Sequence, residues 1–399
     1  MPKISKSAAS IPASAIRMLT PFADKAESNG VKVYHLNIGA PDIKSPEQAV
    51  KALESLHPDH FPYSNSAGFI ELRTALSGSY YPSIGVNNVT TSDILVTTAG
   101  SEALSFVFHG AFDPGDEVIV MEPFYCNYNT LSMMNGVRTV GVHTDIRNGF
   151  ALPPASEIEA AITPRTKAIL VCNPSNPTGT LYTREDMLAI AEICRRHDLF
   201  LISDEAYREF CYTDEPYFSA LQIEGLDENV IVIDSFSKRY NLCGVRLGCI
   251  VCRNRALMDL ILRFAQARLC PPVIAQRIAL GALETGPEYF RAVREEYIAR
   301  RNFTVGALND IPGVFSPMPQ GAFYTVAELP VDDATDFCRW LLTDFRQDGE
   351  TVMLTPAEPF YKTPGEGRNQ VRVAYVLEVP ALRRAMEILA SALEKYNSR

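Results

Sequence analysis

Little in this sequence points toward nucleic acid, membrane or metal. Its 399 residues carry a formal net charge of −10. A nucleic-acid binder needs a basic face, so that class is set aside. A local positive pocket for a small anion stays open. Nine cysteines are scattered along the chain, but only Cys249 and Cys252 have Cys-x-x-Cys spacing. No second pair completes a zinc site, and no metal is expected. That pair lies in an apolar run, where side chains three apart on a strand face opposite ways, so both are read as packing. Cys172, Cys126 and Cys270 are read the same way. The odd count fits a reducing compartment. The first residues lack the basic-then-apolar pattern of a signal peptide, and no apolar run approaches membrane-spanning length. A cytoplasmic enzyme with no membrane partner is the expectation.

What is present is an alternation of short apolar runs with helical stretches. Ile94–Thr97, Glu117–Met121, Thr139–Val142, Lys167–Cys172, Leu199–Ile202 and Val230–Ile233 read as strands,. Ala103–Phe112 and Arg184–His197 read as helices between them, with Pro46–Leu56 and Ile70–Ser79 ahead. Strands alternating with helices imply an α/β fold built on a large doubly wound, mostly parallel sheet with helices on both faces. After about Pro287 the alternation weakens. Tyr289–Leu308 reads as a long helix, Phe315–Leu329 and Gln370–Val376 as strands, and Pro380 opens a last amphipathic helix,. These imply a smaller α+β domain. The expected division is 48–288 for the large domain and 289–399 for the small one, with 1–47 joining the small domain and a dimer contact.

Polar motifs repeatedly follow the end of an apolar strand. In such sheets ligands bind in the crevice outside the carboxyl ends of the strands. Ser101, Tyr125, Asn176, Asp204 and Lys238 are therefore expected to share one crevice. Gly100-Ser101-Glu102, between a strand and a helix, offers free backbone N–H groups to an anion, or is merely a capped turn. Ser235, Ser237 and Arg246 would complete a phosphate cup through hydroxyls and a bidentate fork. Lys238 is either a counter-charge or, in an apolar crevice, a reactive amine able to attack a carbonyl. Asp204 follows an apolar run, and a buried carboxylate wants a cation, such as a protonated pyridine nitrogen or a structural partner. Arg372, inside Val371–Tyr375, either faces solvent or clamps a substrate carboxylate.

In order, the motifs are Asn-x-x-Asn-Pro-Thr-Gly at Asn173–Gly179, Asp-Glu-Ala-Tyr at Asp204–Tyr207, Ser-x-Ser-Lys at Ser235–Lys238 and Arg-x-Gly at Arg246–Gly248. Together they resemble the pyridoxal phosphate-dependent aminotransferases of fold type I, and the chain looks closest to bacterial aspartate aminotransferases. The resemblance spans almost the whole chain and implies roles for its residues. Lys238 would carry the cofactor as a Schiff base and move the proton. Asp204 would pair with the ring nitrogen, keeping the ring an electron sink. Tyr207 and Asn176 would bond the ring's phenolic oxygen, and Tyr125 would stack on the ring. Gly100, Ser101 and Glu102 (through backbone), Ser235, Ser237 and Arg246 would hold the phosphate. Tyr63 resembles the tyrosine that reaches the phosphate of the neighbouring subunit, which implies a homodimer. Arg372 would bind the substrate α-carboxylate, helped by Asn176 and the Gly39 backbone.

The resemblance implies transfer of an amino group from an L-amino acid to a 2-oxo acid, with aspartate and 2-oxoglutarate the expected pair. A dicarboxylate needs a second cation. Arg268, in Ala265–Pro272, is a candidate; the alternative is a helix-end arginine facing solvent. The string Ala267–Pro272 also resembles alanine aminotransferases, so alanine is the second donor. Two rivals use the same fold: a pyridoxal phosphate lyase, and a cofactor-binding regulator joined to a helix-turn-helix domain. For the regulator, the stretch before the first motif is too short.

Overall fold

The computed structural model describes residues 2–57 and 59–399. Among the described residues, twelve strands form three sheets. In chain order they are β1 Lys32–His35, β2 Ile94–Thr97, β3 Glu117–Glu122, β4 Arg138–His143, β5 Thr166–Cys172, β6 Phe200–Asp204, β7 Val230–Ser235, β8 Gly248–Cys252, β9 Tyr324–Glu328, β10 Glu350–Met353, β11 Thr355–Pro356 and β12 Gln370–Ala374. The large sheet has seven strands in the order β2-β8-β7-β6-β5-β3-β4. Only β8 runs against its neighbours β7 and β2. The link from β7 to β8 holds just a four-residue helix, Phe236–Arg239. A parallel return needs a full crossover, usually a helix of several turns.

The strands of this sheet are apolar on both faces because both faces are covered. Val118 and Val120 of β3, Leu170 of β5 and Ile231 and Ile233 of β7 point into one core. Ile119, Ile169, Val230 and Val232 point into the other. Cys249 and Cys252 fall on opposite faces in the same way, and both are buried free thiols. The helix Arg184–His197 shows how a covering element is specified. Thr183 and Asp186 form a reciprocal capping box at its start,. Met187, Ile190, Ala191 and Cys194 then recur at helical spacing and are buried,.

Three local expectations change. The helix after β2 spans Ala99–Ala111, so Gly100, Ser101 and Glu102 form its first turn instead of preceding it. The Glu102 carboxylate accepts the backbone N–H of Thr98 at 2.7 Å, which satisfies a donor at the helix entrance,. The stretch from Ile70 is α-helical only to Ala75 and widens to a π-turn over Leu76–Tyr80. Within Phe315–Leu329 only β9 is a strand. Pro317 and Pro319 interrupt the run, and proline donates nothing to a ladder. Phe315 makes only an isolated bridge to Glu328.

The remaining sheets tie the two ends of the chain together. β1 pairs in parallel with β10, and β11-β12-β9 is antiparallel. Glu350 of β10 accepts from Lys32 of β1 at 3.1 Å and from Arg384 of the last helix, Val379–Asn397, at 2.5 Å. No helix among the described residues is long and apolar enough to cross a membrane.

Candidate active site

The carboxyl ends of β2, β3, β5, β6 and β7 open on one cavity of about 610 Å³. Ten of the residues expected at a site line it together with two from outside the large sheet. Gly100 and Ser101 come from the first turn after β2, Tyr125 from beyond β3, and Asn176 from beyond β5. Asp204 and Tyr207 follow β6, and Ser235, Ser237, Lys238 and Arg246 follow β7. Gly39 and Arg372 close the other side.

Asp204 ends β6 and is buried. Burial pushes its carboxyl up from the ordinary value, opposed by the Tyr128 hydroxyl, the Ala206 N–H and the Lys238 charge. Tyr128 donates to Oδ2 at 2.7 Å, and the Ala206 amide donates to Oδ1 at 3.2 Å. Tyr128 is absent from the sequence reading. Its only signal there is its position three residues past Tyr125, and the two rings meet edge to face at 5.4 Å.

Lys238 sits in the four-residue helix whose start is capped by Ser235, whose Oγ accepts the Ser237 N–H at 3.2 Å. Its Nζ donates to the Gly39 carbonyl at 2.8 Å and lies 3.5 Å from Cys243 Sγ. Below it, Asp234 pairs with Arg208 and Arg239 and accepts from Tyr81 at 2.8 Å, all of them buried. Arg208 also reaches Glu205 at 3.1 Å. This ionic cluster locks the ends of β6 and β7 together, and removing one partner would strand a buried charge.

Arg372 is 1% exposed. It donates to Asn176 Oδ1 at 3.0 Å and to the Asn37 carbonyl, and its Nε has no partner among the described residues. Asn176 in turn donates to Tyr207 at 3.3 Å. Tyr207 and Tyr324 share a hydroxyl contact of 3.0 Å. Tyr324, also missed in the sequence, passes so close to Gly39 that a Cβ there would lie 1.6 Å from its hydroxyl. Glycine is what lets that loop and Tyr324 coexist.

The cavity lining includes two non-glycine residues at positive φ, Ala99 at 62° and Arg246 at 60°. Such strain is sparse and concentrates at functional sites. β8 begins with Gly248, where a Cβ would meet Asp234 O at 2.6 Å and the Ala99 carbonyl carbon at 2.9 Å. The helix entrance therefore packs closely against the strand end, and its first residues, Ala99, Gly100 and Ser101, line the cavity. Arg246 is exposed and lines the cavity, and among the described residues it donates only to the Cys243 carbonyl, at 3.0 Å.

Three expected residues lie outside this lining. Glu102 turns its carboxylate to Thr98 and to Arg268, at 3.0 Å. Arg268 is committed there and to the carbonyls of Ser66 and Val96, so within the chain it faces no substrate space. It fastens the loop that carries Tyr63, and Ser66 reinforces this through Leu269 at 2.5 Å. Tyr63 itself is 78% exposed.

The model for aminotransferase class I and II matches residues 31–389. A putative aminotransferase of Bacillus subtilis, YugH, is 33% identical over 91% of this chain and 92% of its own length. The aspartate aminotransferase of the same organism is 28% identical over 99% and 100%. Among solved structures, the Thermus thermophilus aspartate aminotransferase with maleate superposes with a TM-score of 0.88 at 30% identity, covering 98% of this chain and all of that one. The alanine aminotransferase of Pyrococcus furiosus reaches 0.89 at 31% identity, with the same coverage. Site geometry, fold and relatives agree: the chain belongs to the aminotransferase class I and II family, and it is a pyridoxal phosphate-dependent transaminase.

Proposed function

We propose that this transaminase moves the amino group of an L-amino acid, aspartate first, to 2-oxoglutarate by a ping-pong mechanism centred on Lys238. The carrying observation is that Lys238, Asp204 and Arg372 line one cavity, with Asn176 bridging Arg372 to Tyr207. The donor set suits the cofactor. Ser101, Ser235 and Ser237 offer hydroxyls, the Gly100–Glu102 turn offers amides, and Arg246 offers a charge to a phosphate. Asp204, buried and short of a cation, would take the ring nitrogen, and Asn176 and Tyr207 the ring oxygen. Tyr125 would cover the ring face. When bound, pyridoxal phosphate supplies an electron sink for the carbanion left at the substrate Cα.

The chain's own residues do the rest. Arg372 holds the α-carboxylate with a spare Nε–H, and Asn176 and the Gly39 backbone help orient it. The Lys238 amine, beside the Gly39 carbonyl, would take the Cα proton and return it two bonds away, to the carbon on the far side of the transferred nitrogen. Tyr63, exposed on a fastened loop, would reach the phosphate of a second subunit, which makes the working unit a homodimer. We take 48–288 as the cofactor domain, 289–399 with the first 47 residues as the small domain, and the cytoplasm as its site of action.

A second reading, alanine as donor, has support in the likeness to the Pyrococcus furiosus enzyme. A panel of amino donors with 2-oxoglutarate, read as glutamate formed, separates them. Aspartate is expected to be fastest, and equal rates for alanine would remove that preference. Ammonia or thiol release without new glutamate would mean a lyase. Borohydride should fix the cofactor on Lys238, and finding it on another lysine would overturn the mechanism.

A further inference from the structure

The N-terminal segment brings a cation to the cavity that the motifs do not account for. Ser14, Ile16 and Arg17 line it beside Gly39 and Arg372. The segment is held there. Ala15 is buried in a small apolar cluster that includes Cys126 and Phe360. The amides of Arg17 and Met18 donate to the Ser14 carbonyl at 3.0 and 2.8 Å. Asn37 donates through Nδ2 to the Ile16 carbonyl at 3.2 Å, while its own carbonyl receives Arg372. One residue thus fastens both Arg17's turn and the buried arginine. The Arg17 side chain is exposed and makes no hydrogen bond or ion pair to another described residue.

Four cations line the cavity, Arg17, Lys238, Arg246 and Arg372, against the single carboxylate of Asp204. Lys238 and Arg246 belong to the cofactor and Arg372 to the α-carboxylate. Arg17 is left over, and Arg268, the other arginine considered for this task, is held elsewhere by Glu102. We propose that Arg17 binds the distal carboxylate of a dicarboxylic amino or 2-oxo acid and so sets the substrate class. An arginine fork matches a carboxylate bidentately. This assignment rests on the 2-oxoglutarate reading above.

The test compares wild-type holoenzyme with Arg17→Met and Arg17→Lys, using 2-oxoglutarate and pyruvate as acceptors for one amino donor. Arg17→Met should lose about 10- to 100-fold in kcat/KM for 2-oxoglutarate, the range for a hydrogen bond to a charged group. Pyruvate should change less than about two-fold, and Arg17→Lys should recover part of the loss. Without turnover, succinate binding should weaken in Arg17→Met while propionate binding stays. Equal losses on both acceptors, or none on 2-oxoglutarate, would overturn the role of Arg17 and leave the dicarboxylate reading intact. A wild type that ignores 2-oxoglutarate would overturn both.

Discussion

Tyr128→Phe removes one oxygen from the site and tests what holds Asp204 charged. That oxygen lies 2.7 Å from Asp204 Oδ2, and both groups are buried. A hydrogen bond to a charged group is worth about 1.5–3 kcal/mol, and to a neutral one about 0.5–1.5 kcal/mol. The cofactor-free variant should therefore lose about 1.5–3 kcal/mol where Asp204 is ionised. For a chain of this length that is roughly 2–4 °C in Tm. The pH dependence carries the sign. Burial raises Asp204 above its unfolded value of 3.8, so the native state holds a proton that the unfolded chain has released. Stability falls as pH rises from that value through the folded one. Loss of the Tyr128 donor raises the folded value further, so the fall runs on to higher pH. The gap between wild type and variant should be small near pH 4, widen upward, and level off above the variant's folded value. Denaturant midpoints of the cofactor-free proteins, taken at steps from pH 5 to 8, would measure it. A gap that is absent, or constant with pH, refutes a role for Tyr128 acting through the charge of Asp204.

Arg372→Lys should lower kcat/KM by a similar factor, roughly 10- to 100-fold, for alanine and for aspartate. A lysine cannot hold Asn176, the Asn37 carbonyl and a carboxylate at once. Steady-state kinetics with both donors checks that the loss is common to them. Glu350 gives a second pH test. Arg384, then Lys32, hold its carboxyl down at about 2, against 4.5 when unfolded. Its contribution is complete above pH 4.5 and is lost as pH falls toward 2. Glu350→Gln should accordingly lower stability at neutral pH and lose less than wild type on acidification from pH 5 to 3, read by urea denaturation.

The motifs after the strands were legible because a buried strand announces itself by composition and a doubly wound sheet places its ligand at the strand ends. Asn176, Asp204 and Lys238 stand there for that reason. The direct contacts that set their chemistry were not legible from spacing, and Arg372 joined Asn176 only through the family resemblance. Tyr324 meets Tyr207 across 117 positions of chain, and Arg372 meets Asn176 across 196. No spacing rule encodes such contacts. Arg268 shows the same limit from the other side. The need of a dicarboxylate for a second cation made it a candidate, but Glu102, 166 positions away, holds it. Orientation was also hidden. The apolar run that holds Cys249 and Cys252 suits a strand of either direction, and only the short link before β8 makes it antiparallel.

The pairing of β1 with β10 has a consequence in time. Lys32 and Glu350 meet across 318 positions. At about 5–20 residues per second of synthesis, the first strand waits roughly 15–60 s for its neighbour to be made. Until then the segment carrying Arg17 and Gly39 has no sheet to join, although β2 to β8 can already assemble. A growing chain can thus assemble the large sheet first and set the wall of the cavity that carries Gly39 and Arg17 last,.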